Sequence, residues 1–230
     1  MKKGIKRIFS EVSYNYELVN HILTLGLDIY WRRKAAREAA KAGGSLWLDV
    51  CSGTGEMAQN LSRQAGKNVR IVSADFSIPM MAKALEKIYA HKILFTLAEA
   101  KSLPFPDQTF DLVTISFATR NINPRRDVLV DYLREFWRVL KPRGRFVNLE
   151  TSQPSVKIFQ KLLHFYVRLM VKPVGFLFTG SKDGYSYLSF TIPRFYSPEE
   201  FSLILSETGF NHIFFQPLLF GVSAIHTAIK

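Results

Sequence analysis

The stretch LWLDVCSGTG, residues 46–55, decides the fold of this chain. A short apolar run ends at Asp49, turns through two glycines, and leads into a helical pattern that begins at Glu56. A strand that passes through a tight glycine turn into a helix N-terminus is where an α/β protein binds a nucleotide-like ligand. A second apolar run, residues 69–74, is followed by Asp75, whose carboxylate can accept hydrogen bonds from ribose hydroxyls. The pattern therefore predicts an α/β protein whose ligand contains a ribose.

Size and charge narrow the class of protein. The 230 residues, 47% of them hydrophobic, suffice for one domain with a sizeable core. The single cysteine, Cys51, excludes an internal disulfide framework and a cysteine-rich metal site. The net charge of +12 favours an acidic partner, either nucleic acid or an anionic membrane. The basic start lacks the apolar core of a signal peptide. The uncharged segment 212–229 reads as two strands around a turn. We expect a cytoplasmic protein that rests on the inner face of a membrane.

Strands and helices alternate along the first 150 residues. Predicted strands end at Asp49 and Asp75, then span 93–97, 110–116 and 145–150, and two more strands close the chain. Predicted helices cover the first 42 residues with a break near Gly26, and then 55–65, 79–90, 124–140 and 198–207. This alternation predicts a parallel sheet with right-handed crossovers.

The glycine turn by itself is compatible with two cofactors. Residues 53–58 (GTGEMA) fit the GxGxxA pattern of dinucleotide-binding proteins, and Asp75 fits their ribose acid, so on this loop alone a nicotinamide-dependent oxidoreductase stays open. A pyrophosphate, however, needs free backbone N–H groups and is repelled by nearby acids. Here Asp49 and Glu56 flank the loop. These acids favour a positively charged ligand without phosphate, such as S-adenosylmethionine.

Later motifs resemble the class I methyltransferases that use S-adenosylmethionine. The segment LPFPD at 103–107, followed by FDLV at 110–113, resembles the sequence around their fourth strand. The segment RVLKPRGR at 138–145 resembles the turn before their fifth strand. The resemblance implies a Rossmann-like α/β fold: a seven-stranded, mostly parallel sheet with an antiparallel C-terminal strand and helices on both faces. It favours a methyltransferase over a dehydrogenase.

A narrower resemblance covers nearly the whole chain. The segment YELVN at 16–20, with LTLG at 23–26 and Trp31, resembles the first signature of the ubiquinone/menaquinone biosynthesis C-methyltransferases. Residues 138–142, with nearby glycine, glutamate and serine, resemble their second signature. The resemblance implies one methyltransferase domain over 1–230, with N-terminal helices to about residue 42 and a basic, apolar lid over about 154–195. Positions that depart from the family pattern are Glu17, Val19, Thr24, Asp28, Ser52 and Arg143.

The family resemblance implies C-methylation of a prenylated quinol, from demethylmenaquinol to menaquinol or at the equivalent ubiquinone precursor. Another small-molecule or lipid methyltransferase, and a nucleic-acid-binding protein with this fold, stay open as alternatives. The departures, Asp28 above all, leave the quinone open.

The resemblance also implies the cofactor contacts. Thr54 lies in the methionine-binding turn, where Gly53 and Gly55 permit close backbone approach. Asp75 holds the ribose hydroxyls. The other expected contacts are Asp49 at the flank of the loop, Glu99 and Ala100 beside the adenine, and Ser116 near the reacting methyl group.

The expected reaction requires a nucleophilic ring carbon, which a quinol provides by losing a hydroxyl proton. A phenol titrates near ~10, so ionising it at neutral pH costs about 4 kcal/mol. A nearby cation lowers such a pKa by roughly one to three units. Arg120, directly after the fourth strand, is our candidate for that cation, with a surface arginine or a structural salt bridge as the alternative. Asn121 is expected to orient the substrate or the cofactor. Tyr185 is expected to line the ring pocket or relay the proton, with core packing as the alternative. The five histidines have no metal-like spacing, and we predict no metal.

A basic stripe marks the segment after the fifth strand. Lys157, Lys161, His164, Arg168 and Lys172 recur at intervals of three and four residues, which places them on one helix face. The simple interpretation is a solvated helix face. The alternative is a lid that meets an anionic bilayer through its lysines and arginine, each cation contributing about 1 kcal/mol. Nucleic acid is not expected, because the chain has no recognisable RNA-binding module. The sequence leaves a homodimer open.

Overall fold

The computed structural model of the protein describes residues 16–87, 90–179 and 182–230. Its strands are β1 (Leu46–Val50), β2 (Arg70–Asp75), β3 (Ile93–Leu97), β4 (Phe110–Ser116), β5 (Leu140–Thr151), β6 (Asn211–Leu218) and β7 (Ser223–Ile229). Its helices are α1 (Tyr16–Leu23), α2 (Leu27–Ala40), α3 (Glu56–Gln64), α4 (Ile78–Leu85), α5 (Arg126–Val139), α6 (Lys157–Tyr166), α7 (Lys172–Thr179), α8 (Lys182–Thr191) and α9 (Pro198–Glu207). A π-helical turn, Val167–Val171, joins α6 to α7.

The described residues form one seven-stranded sheet in the order β3-β2-β1-β4-β5-β7-β6. Neighbouring strands from β3 to β5 pair in parallel, whereas β7 is antiparallel to both β5 and β6. The predicted fold, mostly parallel with an antiparallel C-terminal strand, is confirmed. The strand order reverses between β1 and β4, and ligands of open α/β sheets bind outside the carboxyl ends of the strands at such a point. The glycine turn after β1 lies at this place.

Two apolar clusters cover the two faces of the sheet. Adjacent residues of a strand point to opposite faces, so Trp47 packs with Trp31 of α2 and Met57 of α3, while Leu48 packs with Phe136 of α5. All five side chains are buried. Helices therefore lie on both faces, as the sequence predicts.

Three sequence predictions differ in detail from the structure. The fifth strand begins at Leu140 rather than at residue 145, because Leu140 pairs with Phe110 before the register shifts. The helix predicted over 79–90 ends as an α-helix at Leu85. The basic segment forms more than one helix, with a π-helical turn inside it. The predicted break at Gly26 is confirmed, since its φ of 76° is left-handed.

A third, smaller cluster joins α1 to the segment after β5. Val19 packs there with Leu163, Val167, Tyr185 and Leu188. The segment that the sequence marks as a lid thus contacts the N-terminal helices. The bounds of the lid, about 154–195, and of the N-terminal helical unit, about 1–42, stay predictions. Residues 1–15 lie outside the described residues. Within the described ranges, no helix is long and apolar enough to cross a membrane.

Candidate active site

Asp49 lies at the carboxyl end of β1 and is fully buried. The Thr114 hydroxyl donates a hydrogen bond of 2.7 Å to Oδ1 of this carboxyl. The backbone N–H of Ala58 also faces the carboxyl, but Oδ2 makes no hydrogen bond of good geometry. Burial raises the pKa of Asp49 to about 7, against the opposing effects of Thr114, Ala58 and Arg32. A cation beside the loop would favour the ionised form, so the site suits a positively charged ligand.

Asp75, at the end of β2, holds the glycine turn in place. Its carboxylate accepts hydrogen bonds of 2.8 Å from the backbone N–H groups of Gly53 and Ser77. Burial raises its pKa, and these hydrogen bonds oppose the rise. Gly55 caps α3 with a φ of 78°, and a Cβ there would lie 2.9 Å from Ala84. A carboxylate offers about four lone pairs, so Asp75 can still accept from ribose hydroxyls.

A cavity lies under the glycine turn, between β1, β2 and β4. Five of the predicted cofactor and catalytic residues line it: Gly53, Thr54, Asp75, Ser116 and Asn121. The Ser77 hydroxyl and Oδ1 of Asn121 are buried without a partner among the described residues. Buried polar atoms are ordinarily hydrogen-bonded, so these atoms indicate that a polar ligand completes the site. We call it the cofactor cavity.

Four predicted cofactor residues lie around the cofactor cavity without lining it. Asp49 lies in β1 just before the turn, and Gly55 ends the turn at the start of α3. Glu99 and Ala100 follow β3 at the same edge of the sheet; Glu99 forms an isolated bridge with Ser102, and Ala100 packs against the core. Their proposed contacts to the cofactor stay predictions.

A second cavity of about 290 Å³, which we call the acceptor cavity, opens beside the first. Its walls are mostly apolar and come from α1, α2, the π-helical turn and the end of the sheet, including Leu23, Trp31, Leu163, Val167 and Leu188. Its polar wall residues include Asn20, Asp28, Arg32, Arg120 and Thr151. An apolar cavity with a few placed polar groups has the composition of a small-molecule site.

Arg120 lines the acceptor cavity and is also paired, and its catalytic role stays a prediction. Its Nη1 donates to Oγ1 of Thr151 at 2.8 Å and to Oε1 of Glu150 at 3.3 Å. Its backbone N–H donates to the other Glu150 oxygen at 3.0 Å. The functional role and the structural salt bridge, taken from sequence as alternatives, are therefore compatible here. Because β4 and β5 are neighbours, Glu150 reaches Arg120 and offsets part of its charge.

Asn121 and Tyr185 occupy different places. Asn121 lines the cofactor cavity, and its Nδ2 donates weakly to the carbonyl of Phe117 at 3.4 Å. Tyr185 is buried in the third cluster, where a side chain at Gly175 would overlap its ring. The structure thus places Tyr185 in core packing and outside the described lining of both cavities, and its catalytic role stays a prediction.

Sequence reasoning missed a charged cluster at the corner of α1 and α2. Arg32 is buried, and its Nη1 lies 2.5 Å from Asp28 while its Nη2 lies 3.1 Å from Glu56. His21 Nδ1 lies 2.9 Å from Asp28. Burial would raise the pKa of Asp28, but Arg32, Thr24 and His21 together hold it below its usual value. The i,i+4 spacing of Asp28 and Arg32 is the one sequence signal that could have indicated this pair.

The same corner brings together three potential metal ligands. Donor atoms of Glu17, His21 and Glu56 lie within 4.8 Å of one another. Each is already engaged: Glu17 with Lys87, His21 with Asp28, and Glu56 with Arg32. The cations of these ion pairs already balance the charge of both glutamates, so nothing in this cluster requires a metal ion, and we assign none.

Two of the described residues, Arg32 and Phe117, line both cavities. The Arg32 guanidinium lies 4.9 Å from the centroid of the Phe117 ring, and the Trp31 ring lies 6.3 Å from it. Phe117 has a left-handed φ of 52°, a conformation that costs a bulky residue about 1–3 kcal/mol. Its backbone N–H donates to Leu149 at 2.7 Å, which helps to hold it there. Ligands in the two cavities would thus meet at these two side chains.

The basic stripe lies on the outside of the segment after β5. Lys157, Lys161, Arg168 and Lys172 are all exposed, whereas His164 is half-buried and hydrogen-bonded to Gln153 at 2.8 Å. Apolar side chains are exposed beside the cations, namely Ile158, Leu162, Phe165, Leu169 and Leu177. The outer face is therefore both basic and apolar, which an ordinary solvated helix face is not.

Comparisons with known proteins agree with this arrangement. The model of the ubiE/COQ5 methyltransferase family matches residues 1–230. The ubiquinone/menaquinone biosynthesis C-methyltransferase UbiE of Geobacter sulfurreducens is 36% identical over 230 residues, which cover 98% of this chain and 88% of that one. The demethylmenaquinone methyltransferase of Thermotoga maritima is 36% identical over 225 residues, 97% of this chain and 95% of that one. The crystal structure of a SAM-dependent methyltransferase from Aquifex aeolicus is similar in fold, with a TM-score of 0.59 and 19% identity over 85% of this chain and 88% of that one.

Proposed function

The chain belongs to the ubiE/COQ5 methyltransferase family, and from this premise we propose that it methylates demethylmenaquinol to menaquinol, or the equivalent ubiquinone precursor. It is an S-adenosylmethionine-dependent C-methyltransferase of quinone biosynthesis. One observation carries the proposal for this chain: a cavity at the glycine turn, with several charged and polar wall residues, and a mostly apolar cavity beside it share Arg32 and Phe117 as walls. A polar donor and an apolar acceptor can meet there.

The residues of the cofactor cavity fit S-adenosylmethionine, which supplies a methyl group on a positively charged sulfur. Asp49 and Glu56 provide negative charge beside the turn, and neither is compatible with a pyrophosphate. Asp75 is in place to accept from the ribose. The unpartnered atoms of Ser77 and Asn121 support a polar ligand here. We propose that these residues, with Gly53, Thr54 and Ser116, bind the cofactor.

In the acceptor cavity, the protein aligns the quinol ring and excludes water. Methyl transfer is an in-line displacement, so alignment and a dry site supply most of the rate. The apolar walls provide the dry site. Arg120 stabilises the ionised ring hydroxyl, but Glu150 offsets part of its charge, so its effect on that pKa is smaller than a lone cation would have. Overall the ring exchanges one proton for one methyl group.

We also propose that the protein binds the inner face of an anionic membrane through the outer face of α6 and α7. The exposed cations and the exposed apolar residues beside them support this contact. Arg168 and Lys172 also line an outer groove with Arg194, which adds a further cation to that face. The inner side of α6 and of the π-helical turn lines the acceptor cavity, so a prenyl chain has a short path from lipid to the site.

Transfer of label tests the function directly. The protein is incubated with methyl-labelled S-adenosylmethionine and reduced demethylmenaquinone, and the quinone is extracted and counted. We expect label in the quinone. Reduced menaquinone, whose ring position is already methylated, is the matched control and should stay unlabelled. Label in RNA or phospholipid but never in quinone would contradict the proposal. Size-exclusion chromatography of the same preparation tests the homodimer.

A further inference from the structure

Arg32 occupies an unusual position between the two cavities. It lines both of them, and its two terminal nitrogens bind acids that belong to different cavities: Asp28 in the wall of the acceptor cavity and Glu56 in the wall of the cofactor cavity. Its Nε is buried and has no hydrogen-bond partner among the described residues. A buried arginine with an unused donor at a cavity wall indicates that a ligand oxygen belongs there.

The ligand of the cofactor cavity carries matching charges. At neutral pH the methionyl end of S-adenosylmethionine is a zwitterion, with one carboxylate and one ammonium group. The pair of Arg32 and Glu56, 3.1 Å apart, presents one cation and one anion to this cavity. A zwitterion can therefore insert between them, since each partner exchanges one ionic contact for another. The bond of Arg32 to Asp28 is not involved in this exchange and can persist.

We propose that Arg32 couples the two cavities: it binds the carboxylate of S-adenosylmethionine while Glu56 binds the ammonium, and through Asp28 and Phe117 it fixes the acceptor cavity for the quinol. This inference rests on the proposed function. Once the carboxylate is bound, the guanidinium is held from both sides, against the Phe117 ring that both cavities share. Cofactor and quinol then bind with positive cooperativity, and by linkage each raises the affinity of the other by the same factor.

Two adenosine ligands test the first part. S-adenosylhomocysteine has the zwitterionic chain, whereas 5′-methylthioadenosine lacks it but keeps the adenosine and the sulfur. Both are titrated calorimetrically into the wild-type chain, Arg32→Gln and Arg33→Gln, the last being a matched control because Arg33 is exposed on the same helix. We expect Arg32→Gln to weaken S-adenosylhomocysteine about 10- to 100-fold and to leave 5′-methylthioadenosine unchanged. Arg33→Gln should change neither affinity.

Equal loss of both ligands in Arg32→Gln would show a merely structural role, and full retention of S-adenosylhomocysteine would show no role; either result overturns the proposal. Binding of 5′-methylthioadenosine also reports that the variant is folded. The coupling is tested by repeating the S-adenosylhomocysteine titration with oxidised, short-chain demethylmenaquinone present. In the wild type we expect the affinity to rise about 5-fold or more. In Arg32→Gln the quinone should leave the S-adenosylhomocysteine affinity unchanged.

The coupling is refuted if the quinone does not change the S-adenosylhomocysteine affinity of the wild type, or if it raises the affinity of the variant by the same factor as that of the wild type. The labelling experiment separates this inference from the proposed function. A wild-type chain that methylates demethylmenaquinol, with an Arg32→Gln variant that behaves like Arg33→Gln, overturns the inference alone. A wild-type chain that binds neither adenosine ligand contradicts the proposed function itself.

Discussion

Replacing Asp49 by asparagine should remove much of the pH dependence of cofactor binding. Burial raises the pKa of Asp49 from an ordinary value of 3.8 to about 7 in the folded chain. The folded protein therefore holds a proton that the unfolded chain has lost, in the window between these two values. Stability from this group is fully present at low pH and is lost as the pH rises from about 4 to about 7. Three pKa units correspond to about 4 kcal/mol of unfolding free energy.

The same shift sets the affinity for a cation. The positive sulfur of S-adenosylmethionine favours ionised Asp49, so below pH 7 binding is coupled to the release of a proton. The affinity should then fall as the pH drops below 7, by at most about tenfold for each pH unit. In Asp49→Asn, the side chain at position 49 has no proton to lose, so it adds no pH dependence to the affinity. Arg32 and Asp75, which also act on Asp49, and Glu56 at the loop stay in both proteins, so the difference between the two isolates Asp49.

The assay is calorimetric titration of both proteins with S-adenosylmethionine from about pH 5 to 8. Two buffers of different ionisation enthalpy count the protons released. S-adenosylhomocysteine, which lacks the sulfonium charge, is the matched ligand and should show a shallower slope. Denaturant unfolding should also find Asp49→Asn more stable than wild type above pH 7, relative to its stability at pH 4. An affinity profile as steep in Asp49→Asn as in wild type would refute the reasoning.

Three further sets of substitutions test the other assignments. Asp75→Ala should weaken S-adenosylhomocysteine about tenfold or more, because two backbone contacts and the ribose acceptor are lost; an unchanged dissociation constant contradicts the ribose role. Arg120→Gln should lower kcat and retain the calorimetric affinity for the cofactor. Glu150→Gln keeps the shape of the side chain but frees the guanidinium charge of Arg120, so it should shift the pH profile of kcat to lower pH. Wild-type kinetics in both variants would show that the pair has no role in the reaction. Glutamate at the four exposed stripe positions, Lys157, Lys161, Arg168 and Lys172, should abolish salt-sensitive sedimentation with anionic vesicles, because each cation contributes about 1 kcal/mol of binding free energy. Glutamate at Arg33 on α2 should leave the sedimentation unchanged. Sedimentation that does not depend on lipid charge or salt contradicts the membrane contact.

Much of the fold could be predicted because its signals are local. The bounds of β3, β4 and α9 follow from short apolar runs between proline, glycine and polar residues, and the structure reproduces them. The start of β5 could not be predicted in this way. Residues 140–144 read as a proline and glycine turn, but Leu140 pairs with Phe110 and the backbone of Arg143 donates to Lys230. Partners that are distant in sequence thus made a strand out of a local turn signal.

The half of the site that binds the methyl donor could also be predicted from the sequence. Asp49, Gly53 and Asp75 lie within one βαβ unit, so a motif of about 30 residues specifies their relative positions. The structure adds that Asp75 fastens Gly53 and that burial, invisible in sequence, raises the pKa of Asp49.

The sequence by itself determined the α/β fold, the mostly parallel seven-stranded sheet through its family resemblance, and the loop for a positively charged ribose ligand. Only the tertiary structure decided the acceptor half. Its walls come from α1, α2, the residues after β4 and the π-helical turn, and its charges meet in pairs that the chain keeps far apart, such as Arg32 with Glu56 and Arg120 with Glu150. The physical reason is that backbone periodicity and turn chemistry act over a few residues. Whether a buried arginine is free or paired depends instead on which carboxylate, distant in sequence, the packing of the chain brings next to it.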